Sequence, residues 1–143
     1  MAAMCPDEGL DIILGQFPFN TAKYTSPLNC ALFTSQTAST VITHAQTFSN
    51  ITETTYTSYA RQTLAAATWG AIAERAANTG RQQTYPQLTY PTVGVTGAVI
   101  NGFYITNNGH TVCIGQANFD DVTAVTLATN DILKLTPTFA YLH

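Results

Sequence analysis

Charge is what this sequence has least of. Five residues are Lys or Arg and eight are Asp or Glu, 9 % of 143 in all, against about 25 % in an average globular domain. The five cations, Lys23, Arg61, Arg75, Arg81 and Lys134, are scattered along the chain. No cluster of them could track a phosphate backbone, so no nucleic-acid partner is expected. Cysteine is scarce too. Cys5, Cys30 and Cys113 are odd in number and widely spaced, which excludes a disulfide framework and fits reduced thiols in a protein that folds in a cytoplasm. No apolar run reaches the ~18 residues that a membrane helix needs. The opening Met-Ala-Ala-Met-Cys-Pro-Asp-Glu has neither a basic n-region nor an apolar h-region, so neither a membrane partner nor a secretory leader is expected.

What is present in excess is threonine, roughly one residue in six. Threonine stiffens χ1 and suits a pleated strand, while its hydroxyl keeps an exposed strand face wet. Such a surface suits close subunit neighbours, where charges are costly to bury. Apolar residues make up 45 %, which excludes general disorder, and a chain of this length can bury roughly 68–70 % of its unfolded surface. Composition therefore predicts one β-rich domain over residues 1–143, of structural rather than catalytic character.

Local patterns divide that domain into an N-terminal arm with a short helix, residues 1–16, and a β domain, residues 17–143. Pro6 suits a first helical turn, Asp7 and Glu8 favour its positive end, and Leu10, Ile13 and Leu14 form one apolar stripe before Gly15. Beyond it, residues 29–34 and 51–59 are β-prone. Residues 64–77 are ambiguous: their alanines favour helix, whereas Gly70 weakens it. From Gly97 to Thr106 the chain alternates, with Val99, Phe103 and Ile105 on one side and Ile100 and Tyr104 on the other. Asn107-Asn108-Gly109 then offers a hairpin turn. Val125 and Leu127 share a face, Thr129-Asn130-Asp131 turns the chain, and Leu133, Leu135, Phe139 and Tyr141 share a face of the last run. Pro137 marks that run as an edge or a bulge. The expected fold is mainly β, an antiparallel sandwich or jelly-roll-like domain with a short N-terminal helix.

Candidate chemistry is thin. His110 and Cys113 have a metal-compatible look, but at i and i+3 on a strand they point to opposite faces, and no second short-spaced pair completes a zinc site. His110 reads as a turn residue and Cys113 as a small buried hydrophobe. Asp120, Asp121 and Asp131 read as turn caps rather than a calcium cradle. Glu74 beside Arg75 reads as a solvated surface pair. There is no Gly-x-Ser-x-Gly elbow, and Gly94, Gly97 and Gly102 do not precede a helix. No catalytic residue, metal or cofactor is expected. The aromatics, from Phe17 and Phe19 to Tyr104, read mostly as core and cross-strand pairs, with some at subunit contacts.

Several segments, taken in order, resemble a family of small virion structural proteins of tailed bacteriophages, including cyanophages. Pro6-Asp-Glu-Gly-Leu-Asp-Ile-Ile-Leu14 is similar to the family's leading helix, and Leu28-Asn-Cys-Ala-Leu-Phe-Thr34 to the strand that follows. Ile51-Thr-Glu53 with Tyr59-Ala-Arg-Gln-Thr-Leu64 and Trp69-Gly70 resembles its middle segment, with Ser58 where glycine is commoner. Val99-Ile-Asn-Gly-Phe-Tyr-Ile105, Gln116-Ala-Asn-Phe119 and Asp131-Ile-Leu-Lys-Leu-Thr-Pro-Thr138 resemble its closing strands. The resemblance implies a non-enzymatic head-decoration (cement) protein or a minor tail component, located in the virion. Its implied partners are the major capsid protein or other virion subunits, and further copies of itself as a homo-oligomer. Phe17 and Phe19, just after the helix, are the candidate interface anchors. The rival classes are a receptor- or carbohydrate-binding tail-fibre sandwich and a small hydrolase.

Overall fold

A computed structural model describes residues 3–4, 27–34, 48–74, 80–92, 94, 97–119 and 124–142. The helix expected within 6–16, the anchors Phe17 and Phe19, and the carboxylates Asp120 and Asp121 lie outside the described residues. Among these described residues twelve strands follow in chain order: β1 Ala3–Met4, β2 Leu28–Phe33, β3 Gln62–Leu64, β4 Ala73–Glu74, β5 Gly80–Thr84 and β6 Leu88–Pro91, then β7 Ala98–Ile100, β8 Gly102–Thr106, β9 Cys113–Asn118, β10 Val125–Leu127, β11 Ile132–Leu135 and β12 Thr138–Leu142. Every described pairing is antiparallel, and the fold is mainly β.

The largest sheet runs β1-β9-β8-β2-β3. Its centre is the β8–β9 hairpin, closed by Asn107. The Asn107 Oδ1 accepts the backbone N–H groups of Thr111 at 2.8 Å and Val112 at 3.2 Å, and its Nδ2 donates to the Thr111 hydroxyl at 2.9 Å. This is a side chain supplying the turn's hydrogen bonds locally. The register slips after Ile105, which faces Gly115 while Thr106 faces Cys113. Ile114 is the extra residue, and this bulge turns it into the same core as Ile105. β2 inserts on the far side of β8, with Cys30 opposite Ile105 and Phe33 opposite Gly102.

The remaining strands form a bent ribbon. β5 and β6 pair with β12 and β11 respectively, and the bend falls at Pro137, whose carbonyl accepts the Tyr85 N–H at 2.9 Å. Having no N–H, Pro137 fits where the ladder is interrupted. Thr92 fastens the next turn through its hydroxyl, which faces the carbonyls of Ala128 and Asp131. Asp131 caps the same turn by accepting the Ala128 N–H at 2.7 Å. β7 and β10 then pair beyond it.

Alternation gives the large sheet two faces. Cys30, Leu32, Leu64, Phe103, Ile105, Ile114 and Ala117 turn inward against Tyr85, Leu88, Tyr90, Ile100, Leu127 and Leu135 of the ribbon. Two antiparallel layers over one apolar core make the fold sandwich-like. The buried Tyr90 hydroxyl donates to the Cys30 carbonyl at 3.0 Å and ties the layers together. The opposite face of the sheet carries Ala31, Phe33, Tyr104 and Cys113, covered by Phe48, Ile51 and Tyr59.

Two local expectations change, and the ambiguous segment 64–77 is resolved over residues 64–74, residues 75–77 lying outside the described residues. The alternation from Gly97 to Thr106 is broken at Asn101, so Ile100 joins Phe103 and Ile105 in one core while Val99 is exposed. Residues 51–59 are not a strand; their β-type pairing, among the described residues, is one isolated bridge, Phe33 to Glu53. Residues 64–74 are extended, apart from a 3-10 turn at Ala66–Thr68. Trp69 packs against Tyr85 and Phe139, with ring centroids 5.1 and 5.4 Å away. The Gly70 backbone meanwhile bonds to Thr84 and Gln83. Partial burial of the lone tryptophan against the core and this pairing outweigh the alanines' modest helix propensity.

Candidate functional site

The outer face of the sheet holds the clearest polar constellation. The bridge at Glu53, flanked by Thr34 N–H to the Thr52 carbonyl at 2.8 Å and Thr54 N–H to the Leu32 carbonyl at 3.0 Å, lays the loop along β2. Glu53 then receives donors from three directions. Tyr59 Oη–H donates to Oε1 at 2.6 Å, Tyr104 Oη–H to Oε2 at 2.8 Å, and the Arg61 guanidinium to both oxygens at 2.6 to 3.0 Å. Tyr59 also accepts the Leu32 N–H at 3.0 Å, so one phenol fixes both the carboxylate and β2.

Burial opposes charge on Glu53, but hydrogen bonds from Arg61, Tyr59 and Tyr104, with the Arg61 charge, outweigh it and lower the carboxyl pKa. Burial, and then the bond to Glu53, push both tyrosine hydroxyls up. A carboxylate has about four lone-pair positions, and these donors occupy them. General acid–base work needs a titratable group near the working pH with a site open to substrate. Glu53 is held as a carboxylate with its oxygens taken by these donors, and it fastens loop 48–61 to the sheet. Glu53, Tyr59 and Arg61 lie in the segments that carry the resemblance, but the sequence alone assigns them no role. The signal in the sequence is that two of only thirteen charged residues stand eight apart with two tyrosines, Tyr56 and Tyr59, between them.

The same face also leaves polar atoms unmade. Asn29, Gln116 and Asn118 share the strand parity of Tyr104 and Thr106. The Asn29 Nδ2, both amide atoms of Gln116 and the Asn118 Oδ1 are buried without a partner. Gln116 is only 2 % exposed, and each such group costs about 1–3 kcal/mol.

His110 occupies the β8–β9 turn at φ 54°, and burial, helped by the Arg61 charge, lowers its pKa. Cys113 is buried in the outer-face cluster with its thiol directed to the Gly115 carbonyl. Cys30 belongs to the opposite core, and burial pushes its pKa up to about 12. Among the described residues no three His, Cys, Asp or Glu side chains come together, and no helix is long and apolar enough to cross a membrane. No family model, curated protein or solved structure matches this chain.

Proposed function

We propose that this chain is a non-enzymatic structural subunit of a tailed-phage virion, a capsid decoration or cement protein that binds between copies of the major capsid protein. One observation carries the reading: among the exposed described residues threonines far outnumber charges, and the Glu53–Arg61 ion pair is consumed internally. Thr55, Thr57, Thr89, Thr126, Thr136 and Thr138 are all exposed, whereas Glu53 and Arg61 pair with each other. Threonines lose less on desolvation than charges do and can hydrogen-bond a neighbour directly. A surface of this kind is suited to repeated close contact rather than to turnover.

Such contacts need not be strong singly, because many identical sites on a closed lattice act together. Binding to the assembled shell then shifts the balance away from disassembly by mass action. The test compares particles with and without the protein during heating and on transfer to low salt. Particles lacking it are expected to release their genome at lower temperature, and added protein to restore the difference. Equal resistance, with the protein found at a fibre tip, overturns this reading in favour of a receptor-binding tail component.

A further inference from the structure

The sequence holds asparagine followed by glycine twice, at Asn101–Gly102 and Asn108–Gly109, and the fold places the two in opposite surroundings. Such a pair is open to one spontaneous reaction, because glycine has no Cβ to obstruct its own backbone nitrogen as it approaches the preceding side chain. Asn101 is 6 % exposed, and its N–H and Nδ2 donate to the Phe33 and Thr34 carbonyls at 2.9 and 2.6 Å. Gly102 stands within β8, paired with Phe33 of β2 on one side and Asn118 of β9 on the other. Neither group reaches the other without opening the centre of the large sheet.

Asn108 and Gly109 are both exposed. They form the middle of the turn that the His110 N–H closes on the Asn107 carbonyl at 3.0 Å. Among the described residues, no hydrogen bond holds the Asn108 carboxamide or the Gly109 N–H. The adjacent Asn107 carboxamide, by contrast, is held by Thr111 and Val112. After Asn50, Asn118 and Asn130 the following N–H is engaged: Ile51 donates to the Phe48 carbonyl, Phe119 to that of Asn101 and Asp131 to that of Ala128. Asn29 is buried, and Cys30 after it lies in β2 between two paired strands. A free carboxamide beside a free, unhindered nitrogen occurs, among the described residues, at Asn108–Gly109 alone.

We infer that Asn108 is a site of spontaneous deamidation in the folded protein. The Gly109 nitrogen gives its proton to water and bonds to the Asn108 Cγ. The Cγ–Nδ2 bond breaks, ammonia leaves, and a five-membered cyclic imide remains. Water then opens the ring at either carbonyl, giving aspartate, or an isoaspartate whose main chain runs through Cβ. Both products add one negative charge to the hairpin tip. The second also lengthens the backbone inside the span 107–112 that the Asn107 side chain braces. The tip of β8–β9 thus gains charge and slack with age, whatever the chain's role in assembly.

The test holds purified protein at mildly alkaline pH, folded or in urea, and follows each asparagine by peptide mass spectrometry and the acidic form by isoelectric focusing. In the folded protein, conversion at Asn108 is expected to outpace that at Asn101 by roughly ten-fold or more, since Asn101 reacts only through opening of the sheet. In urea the two rates are expected to converge. Gly109→Ala suits the fold, because a Cβ there would meet only the Asn107 Nδ2 at 3.8 Å and the Thr111 Oγ1 at 3.9 Å, at a φ that is not positive. It is expected to slow conversion at Asn108 by roughly ten-fold. Equal folded rates, earlier conversion at Asn101 or Asn107, or an Asn108 that converts only in urea overturns the inference. So does a Gly109→Ala chain that gains the acidic form as fast as its parent.

Discussion

Replacing Tyr59 with phenylalanine deletes one oxygen and two hydrogen bonds. The first is the bond to the Glu53 carboxylate at 2.6 Å, and the second is the one accepted from the Leu32 N–H at 3.0 Å. Leu32 is fully buried, so its N–H finds no water and being orphaned costs about 1–3 kcal/mol. Loss of a hydrogen bond to a charged group costs about 1.5–3 kcal/mol. The two losses share one atom and do not simply add, and the expected destabilisation is about 3 kcal/mol. Tyr104→Phe is the control. It removes only the 2.8 Å bond to a carboxylate that keeps Arg61 and Tyr59, and the expected cost is about 1.5 kcal/mol. At this chain length those values correspond to roughly 9 °C and roughly 4 °C in Tm. Urea unfolding followed through Trp69 fluorescence measures both, with unchanged m-values showing that stability alone has moved. Equal effects for the two variants, or a Tyr59→Phe loss under about 1 kcal/mol, would refute the assignment of Tyr59 as the double fastening.

Acid should loosen the same cluster. Because the Glu53 pKa is lowered in the fold, the native state binds fewer protons than the unfolded chain. Its stabilisation is complete above the unfolded value of about 4.3 and is lost as pH falls through the folded value. Glu53→Gln is therefore expected to lower Tm at neutral pH and to flatten the Tm profile below about pH 4.3, as read by calorimetry. A Cβ at residue 102 would lie 2.1 Å from the Ala117 carbonyl oxygen and 2.6 Å from the Phe33 ring. Gly102→Ala should consequently cost about 3 kcal/mol or more, at or beyond the top of the ordinary overpacking range, measured by the same urea titration. Cys30, its pKa pushed up to about 12 by burial, should resist alkylation at pH 8 in the folded protein and react once unfolded. Peptide mass spectrometry reads the difference.

The structure is legible in the sequence where one local cause decides it. Asn107-Asn108-Gly109 makes its turn through the Asn107 side chain, Pro137 breaks its ladder because it lacks an N–H, and Leu133, Leu135 and Phe139 reach the core by simple alternation. The structure is not legible in the sequence where distant partners decide it. Nothing local shows that Asn101 leaves the strand to bond through its N–H to the Phe33 carbonyl at 2.9 Å and through its Nδ2 to the Thr34 carbonyl at 2.6 Å. That excursion separates β7 from β8 and moves Ile100 to the opposite side of the pattern. The insertion of β2 beside β8 is likewise set by burial of Cys30 and Leu32 across the sandwich, at a sequence distance no period reveals. Glu53 and Arg61 were visible as scarce charges. Their convergence on Tyr59 and Tyr104 is a product of that same long-range pairing.

Cryo-electron microscopy of intact particles that carry this protein tests the central claim most directly, because position separates a cement from a tail component. The structural reading predicts repeating density of this β-sandwich-like fold over the capsid surface, seated between adjacent copies of the major shell subunit. Density confined to the tail or fibre tip, with a bare shell, would contradict it.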